Sequence, residues 1–170
     1  MPKKGGDMIK TIPALIAAAL ICGPAIADDP MVVPLKRLSM DAAVKIAQGA
    51  IEECREKGIQ IAVTVVDREG TVQVTLRDTI AAPITVPISK MKAFTAVNFN
   101  AATSAMADRA NTPIGRVEGL VMSAGGVPVL VGGSSLVAGV GVSGAPSGET
   151  DEECALAGIA EIQDDLDMAM

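Results

Sequence analysis

The chain contains no histidine, no tyrosine and no tryptophan, and its aromatic side chains are Phe94 and Phe99 alone. Without imidazole it lacks the group best suited to proton transfer near neutral pH. It also lacks the commonest protein ligand of zinc and of haem iron. Nucleophile schemes that pair Ser or Cys with His are excluded outright. Positive charge is scarce too: 14 Lys and Arg stand against 20 Asp and Glu, a formal net charge of −6. No basic cluster interrupts that excess, so a phosphate backbone would be repelled and nucleic acid is not an expected partner. Long apolar runs are nearly absent. The one candidate, Ile12 to Ile21, is interrupted by Pro13 and falls short of the roughly 20 residues that a membrane span needs.

That short run has another use. Lys3, Lys4 and Lys10 precede or open it, and Ala25-Ile26-Ala27 follows with the small-x-small pattern that signal peptidase reads. The expectation is a secretory signal over residues 1–27, cut after Ala27, and a periplasmic or secreted mature protein. Loss of Lys3, Lys4, Lys10 and Asp7 would take the net charge from −6 to −8. Residues 28–38 carry Pro30 and Pro34 and read as an extended leader. Residues 39–170 are then of a size for one domain, with no later segment apolar enough to span a bilayer.

Within that domain, Ser39 is a good N-cap and Asp41 favours a positive helix end. Ala43, Val44, Ala47, Ala50, Ile51 and Cys54 share one face of a helix from Met40 to Lys57, which Gly58 ends. Ile61 to Val66 reads as a central strand, Asp67 to Gly70 as a hairpin turn, and Thr71 to Leu76 as a half-buried strand. A loop to Pro87, a helix from Ser89 to Phe99 and a second short helix from Thr103 to Arg109 follow. Gly119 to Met122, Pro128 to Gly132 and Leu136 to Ser143 read as three further strands. Thr150 and Glu153 have capping-box spacing for a last helix, whose buried stripe is Ala155, Ile159, Ile162 and Leu166. The order α-β-β-α-α-β-β-β-α with short connections gives an α+β fold, a largely antiparallel sheet packed by helices.

Two local patterns have competing readings. Gly139-Val-Gly-Val-Ser-Gly144 spells the dinucleotide fingerprint, but its glycines fall inside a strand with no parallel βαβ unit around them. The better reading is a strand lying close beneath a helix. Cys54 and Cys154 are the thiols left once Cys22 departs with the signal. In an oxidising compartment they suit a disulfide; two buried thiols, or soft ligands, are the alternatives.

Val65-Val66-Asp67-Arg68-Glu69-Gly70, Lys92-Ala93-Phe94-Thr95-Ala96 and Thr103-Ser104-Ala105 belong to a longer pattern. It continues with Gly125-Gly126-Val127-Pro128-Val129, the run from Leu136 to Gly144, and Asp151-Glu152-Glu153-Cys154-Ala155. In order and spacing the chain resembles the GlcG/HbpS family of small haem-binding-like proteins. The resemblance implies a profilin-like layer with a five-stranded antiparallel sheet, and a homo-oligomer. It implies a small-molecule ligand, haem being the first candidate, and a role in haem uptake or redox sensing. The chain departs from the family where Arg77-Asp78 runs into Thr79-Ile80-Ala81, and in having no His for iron. In a haem reading, Lys90 and Lys92 would meet the propionates, Met91 would approach the iron, and Thr95 lies one turn on. The competing reading leaves the lysines solvated and the others packed. An accessory or enzymatic role in small-molecule catabolism would have to draw acid/base chemistry from Asp67, Glu69 or Lys92. A structural oligomeric subunit is the third class.

Overall fold

The computed structural model describes residues 1–2 and 31–169. The chain divides into two compact units, Met1–Pro34 and Leu35–Met170, and every helix and strand described lies in the second. The expected signal cleavage residues, Ala25 and Ala27, lie outside the described residues.

Helix α1 spans Met40–Glu56, with the Ser39 side chain accepting the Ala42 N–H at its start. Gly58, at φ 74°, closes it: its N–H reaches the Arg55 carbonyl, and the Ile59 N–H reaches that of Cys54. This is the Schellman arrangement, which satisfies carbonyls the helix leaves open. The buried face is the one expected, except that Ile46 is fully buried and Val44 only half so. Strands β1 (Ala62–Asp67) and β2 (Val72–Arg77) form the expected hairpin, and β3 (Gly126–Val131) pairs with β4 (Ser135–Ser143). The sheet order is β2-β1-β4-β3, antiparallel throughout.

Four strands are described, so the expected five-stranded sheet is corrected. Residues 119–122 run as coil after a turn at Gly119, φ 85°. Their backbone is held by a side chain, the Thr95 hydroxyl accepting the Val121 N–H, and pairs with no strand. The expected second short helix is present over Thr103–Arg109 as a 3-10 segment, and a further 3-10 turn, Ile114–Arg116, follows it.

Period-two alternation in β1 divides the interior. Val63 and Val65 face α1 and α3 (Gly148–Ala160) in the larger core, with Val129, Val140, Val142 and Ile46. Val66 points the other way, against Ala93 and Val97 of α2 (Thr85–Phe99). The sheet is therefore sandwiched between helices. The glycines of the fingerprint-like run explain how closely α2 can lie. A Cβ on Gly141 would fall 2.0 Å from the Ser89 carbonyl oxygen, and one on Gly139 2.7 Å from that of Ala93. Those positions serve packing, as expected.

Two helix starts differ from expectation. Helix α2 begins four residues before Ser89, because Pro87 falls in its first turn, where a missing N–H costs nothing. Helix α3 begins before Thr150: Ser147 is the cap, accepting the Thr150 N–H. Glu153 is drawn instead to Lys57 at 3.2 Å, so no capping box forms. The expected last helix also breaks at Ile162, and α4 (Gln163–Met168) carries Leu166.

Candidate functional site

Helix α2 is built inside out. Toward the sheet it buries Thr85, Ser89, Lys92 and Thr95 alongside Ala93, Ala96 and Val97. The outward stripe, at helical spacing, is Ile84, Pro87, Met91 and Phe94, of which Ile84 is 63% exposed. Apolar residues on a solvent face with polar ones beneath reverse the ordinary pattern of a surface helix. The buried polar groups are all paired. Ser89 shares a 2.9 Å hydrogen bond with Thr64. Lys92 donates to the Val142 carbonyl at 3.0 Å and to Asp151 Oδ2 at 2.7 Å.

The outward stripe lines a groove of about 340 Å³, bounded by Pro87, Lys90, Met91, Phe94, Glu118 and Gly119. Its far wall is the coil at 118–122, which Thr95 holds in place. The Thr95 hydroxyl donates to the Met91 carbonyl at 2.7 Å and accepts the Val121 N–H at 2.9 Å. Lys90 and Glu118 are both exposed, and neither forms an ion pair among the described residues.

The four residues singled out in the sequence thus separate. Lys90 and Met91 line the groove. Thr95 supports its wall from behind. Lys92 points into the protein, 4% exposed, so it neither reaches a ligand in the groove nor is solvated. Sequence reasoning missed Pro87, Phe94, Glu118 and Gly119. The reversed polarity of α2 was the available signal, since Ile84, Pro87, Met91 and Phe94 recur at helical spacing.

Other candidates are committed elsewhere. Asp67 Oδ1 accepts the N–H groups of Glu69 and Thr71, shaping the hairpin turn. Its other oxygen, with Glu69, binds Arg37 and fastens the end of the leader. The altered Arg77–Ala81 segment is tied down as well. Arg55 grips Asp78 through two hydrogen bonds of 2.7 and 2.8 Å, and Arg77 donates to the Ala81 carbonyl. That Arg55 hydrogen bond holds the Asp78 carboxyl below the usual carboxylate range. Cys54 and Cys154 form a disulfide between α1 and α3, with Cα atoms 5.6 Å apart. Gly158 makes the approach possible, because a Cβ there would fall 2.3 Å from the Ile46 carbonyl. Among the described residues, no group of His, Cys, Asp and Glu has the form of a metal site. None of their helices is long and apolar enough to cross a membrane.

A family model described as haem degrading protein HbpS-like matches residues 38–160. The chain belongs to the HbpS-like family. Among solved structures, HbpS itself is 41% identical, with 79% of this chain and 96% of that one covered at a TM-score of 0.73. A double mutant of Streptomyces reticuli HbpS gives 40% identity, coverage of 81% and 95%, and the same TM-score of 0.73. A haem complex of PduOC is 28% identical, with coverage of 75% and 96% and a TM-score of 0.68. A comparison with curated proteins gave no match. The HbpS-like match spans α1 through α3, so both sides of the groove lie within the shared region.

Proposed function

We propose that this HbpS-like protein is an exported haem-binding protein, acting in the periplasm or outside the cell as a homo-oligomer. The observation that carries the reading is the outward groove on α2, an apolar hollow with one thioether, one ammonium and the Glu118 carboxylate at its edge. Its donor chemistry fits one face of a haem. Met91 supplies a soft sulfur of the kind that ligates haem iron. Phe94 and Pro87 offer apolar surface to a flat ring, and Lys90 suits a propionate. Lys92 has no part in this, being spent on Asp151. Bound haem would supply electron-transfer or oxygen chemistry; the chain's own residues hold, orient and shield. Storage, uptake and redox sensing are all compatible with such a site. The haem complex of the PduOC neighbour supports the choice of ligand.

Haemin titration tests the proposal directly, because no amino-acid side chain absorbs in the Soret region. A saturable Soret shift at stoichiometric haemin is expected, and Met91→Ala should alter the bound spectrum. A spectrum unmoved by haemin at saturating protein would end the reading. For the compartment, the mass of protein recovered from a periplasmic or culture fraction should correspond to a start at Asp28.

A further inference from the structure

The sheet ends in β2 on one side and β3 on the other, and the two edges are built differently. Main-chain groups along an edge are a template for another strand unless something covers them. On β3 the positions turned away from β4 are blocked one after another. Thr103 Oγ1 accepts the Gly126 N–H at 2.9 Å, and Pro128 has no N–H to offer. Gln163 donates to the Leu130 carbonyl at 3.2 Å, and Asp167 accepts the Gly132 N–H at 2.9 Å just beyond the strand.

Strand β2 has no such cover. The Asp78 N–H bonds to the Ile61 carbonyl, and the register sets Leu76 against Val63 and Val74 against Val65. Along an antiparallel pair, main-chain groups alternate between facing the partner strand and facing away. Those of Thr75 and Arg77 therefore face outward, and no hydrogen bond to them occurs among the described residues. Both residues are exposed. A hollow of about 310 Å³ runs between this strand and α1, bounded in part by Ile51, Glu52, Arg55, Leu76 and Arg77.

Resting on the homo-oligomer reading, we infer that β2 is the docking strand for a second copy of this chain. The two β2 strands pair antiparallel across a two-fold axis, and one sheet runs through both copies. A single register matches outward groups with outward groups: Thr75 of each copy opposite Arg77 of the other, with Leu76 facing its counterpart at the axis. Neither Arg77 then lies directly opposite the other. The choice of partner follows from closure. With one bare edge per copy, a two-fold pairing uses up both. The joined sheet then ends in two blocked β3 edges, so strand addition stops at two copies. The hollow beside the strand carries both signs of charge, Glu52 against Arg55 and Arg77, and so is complementary to a copy of itself.

Hydrogen exchange and light scattering test it on the intact protein. In the assembled parent the Thr75 and Arg77 amides should exchange within about tenfold of those of Val74 and Leu76, which the β1–β2 ladder protects. Thr75→Pro removes one outward N–H without taking a donor from that ladder, and should lower the mass of the assembly at least twofold. Leu76→Cys should join two copies through a disulfide on oxidation. Facing residues of a non-hydrogen-bonded pair have Cα atoms about 4.5 Å apart, within a disulfide's reach. An assembled parent whose Thr75 and Arg77 amides exchange freely, with no cross-link in Leu76→Cys, overturns this interface and leaves the homo-oligomer reading standing. A parent that is monomeric at every concentration overturns both.

Discussion

Lys92 and Asp151 meet inside the protein, Nζ to Oδ2 at 2.7 Å, with 5% of each side chain open to solvent. The ammonium also reaches the Val142 carbonyl, and Asp151 Oδ1 accepts the Ala145 N–H at 2.9 Å. One ion pair thus joins α2, the end of β4 and the first turn of α3. Removing one partner of such a pair leaves a buried, uncompensated charge, a loss of about 3–5 kcal/mol. Lys92→Met should show that loss in urea unfolding, and Lys92→Met with Asp151→Asn should regain part of it. A single variant within about 1 kcal/mol of the parent would refute the account, since that is the scale of an exposed pair.

The same pair has a pH signature. Burial pushes the Asp151 carboxyl above its ordinary range, against the pull of Lys92 and of the Ala145 N–H. A raised acid favours the folded state when protonated, so its contribution falls as pH rises from the unfolded to the folded pKa. In Lys92→Met burial acts without the ammonium to oppose it. The variant's deficit should therefore be largest at neutral pH and shrink toward pH 4, near the ordinary Asp value of ~3.9. Equal deficits at both ends of that range would show that Asp151 is not the stranded group.

Asp78 works in the opposite sense. Its carboxyl is lowered, chiefly by the Arg55 hydrogen bond, with the Thr79 N–H and Arg55 charge assisting. A lowered acid stabilises the fold above its unfolded pKa of ~3.9, and that contribution disappears as pH falls through the folded value. Arg55→Met should lower the melting temperature at pH 6–7, and the gap from the parent should close in strong acid. A gap that stays constant down to the acid transition would assign the effect to lost packing of the Arg55 stem.

The Cys54–Cys154 bond closes a loop spanning a sequence separation of 100 and ties α1 to α3 within the main core. In the chain-entropy model such a loop contributes about 4.7 kcal/mol, and removal of native bridges commonly costs 2–5. Unfolding in urea with and without reductant should differ by an amount in that range. The Cys54→Ala, Cys154→Ala variant should match the reduced protein. Two free thiols in the unreduced, denatured protein would exclude the bridge.

Residues with strong local signatures told their story in the sequence. Ser39 and Gly58 bracket α1 because capping is decided by a few neighbours, and the β1–β2 hairpin follows from alternation around a polar turn. What depended on distant partners was not legible. Residues 119–122 are apolar enough for a strand, yet their backbone is claimed by Thr95. Ser147, three residues earlier than expected, caps the last helix, and Glu153 meets Lys57 of a distant helix. Lys92 looks like any helical lysine until Asp151 arrives from a segment 59 residues away. The groove was half visible: Lys90 and Met91 were named in the sequence, whereas Glu118 and Gly119 join it only through the fold.

Thr95 is where fold and groove are coupled most directly. Its hydroxyl donates to Met91 and accepts from Val121, so one side chain pins the groove wall to the helix beneath. Thr95→Val keeps shape and β-branching but leaves the Val121 N–H without its acceptor, a cost of about 1–3 kcal/mol where the group is buried. Thr95→Ser keeps the hydroxyl and should behave nearly as the parent. Hydrogen exchange separates this role from a general loss of stability. In Thr95→Val the Val121 amide should exchange much faster while amides of β1 and α1 hold their protection. Uniform acceleration across the molecule would show that Thr95 contributes only to packing, and unchanged exchange at Val121 would show that the hydroxyl does not hold the wall.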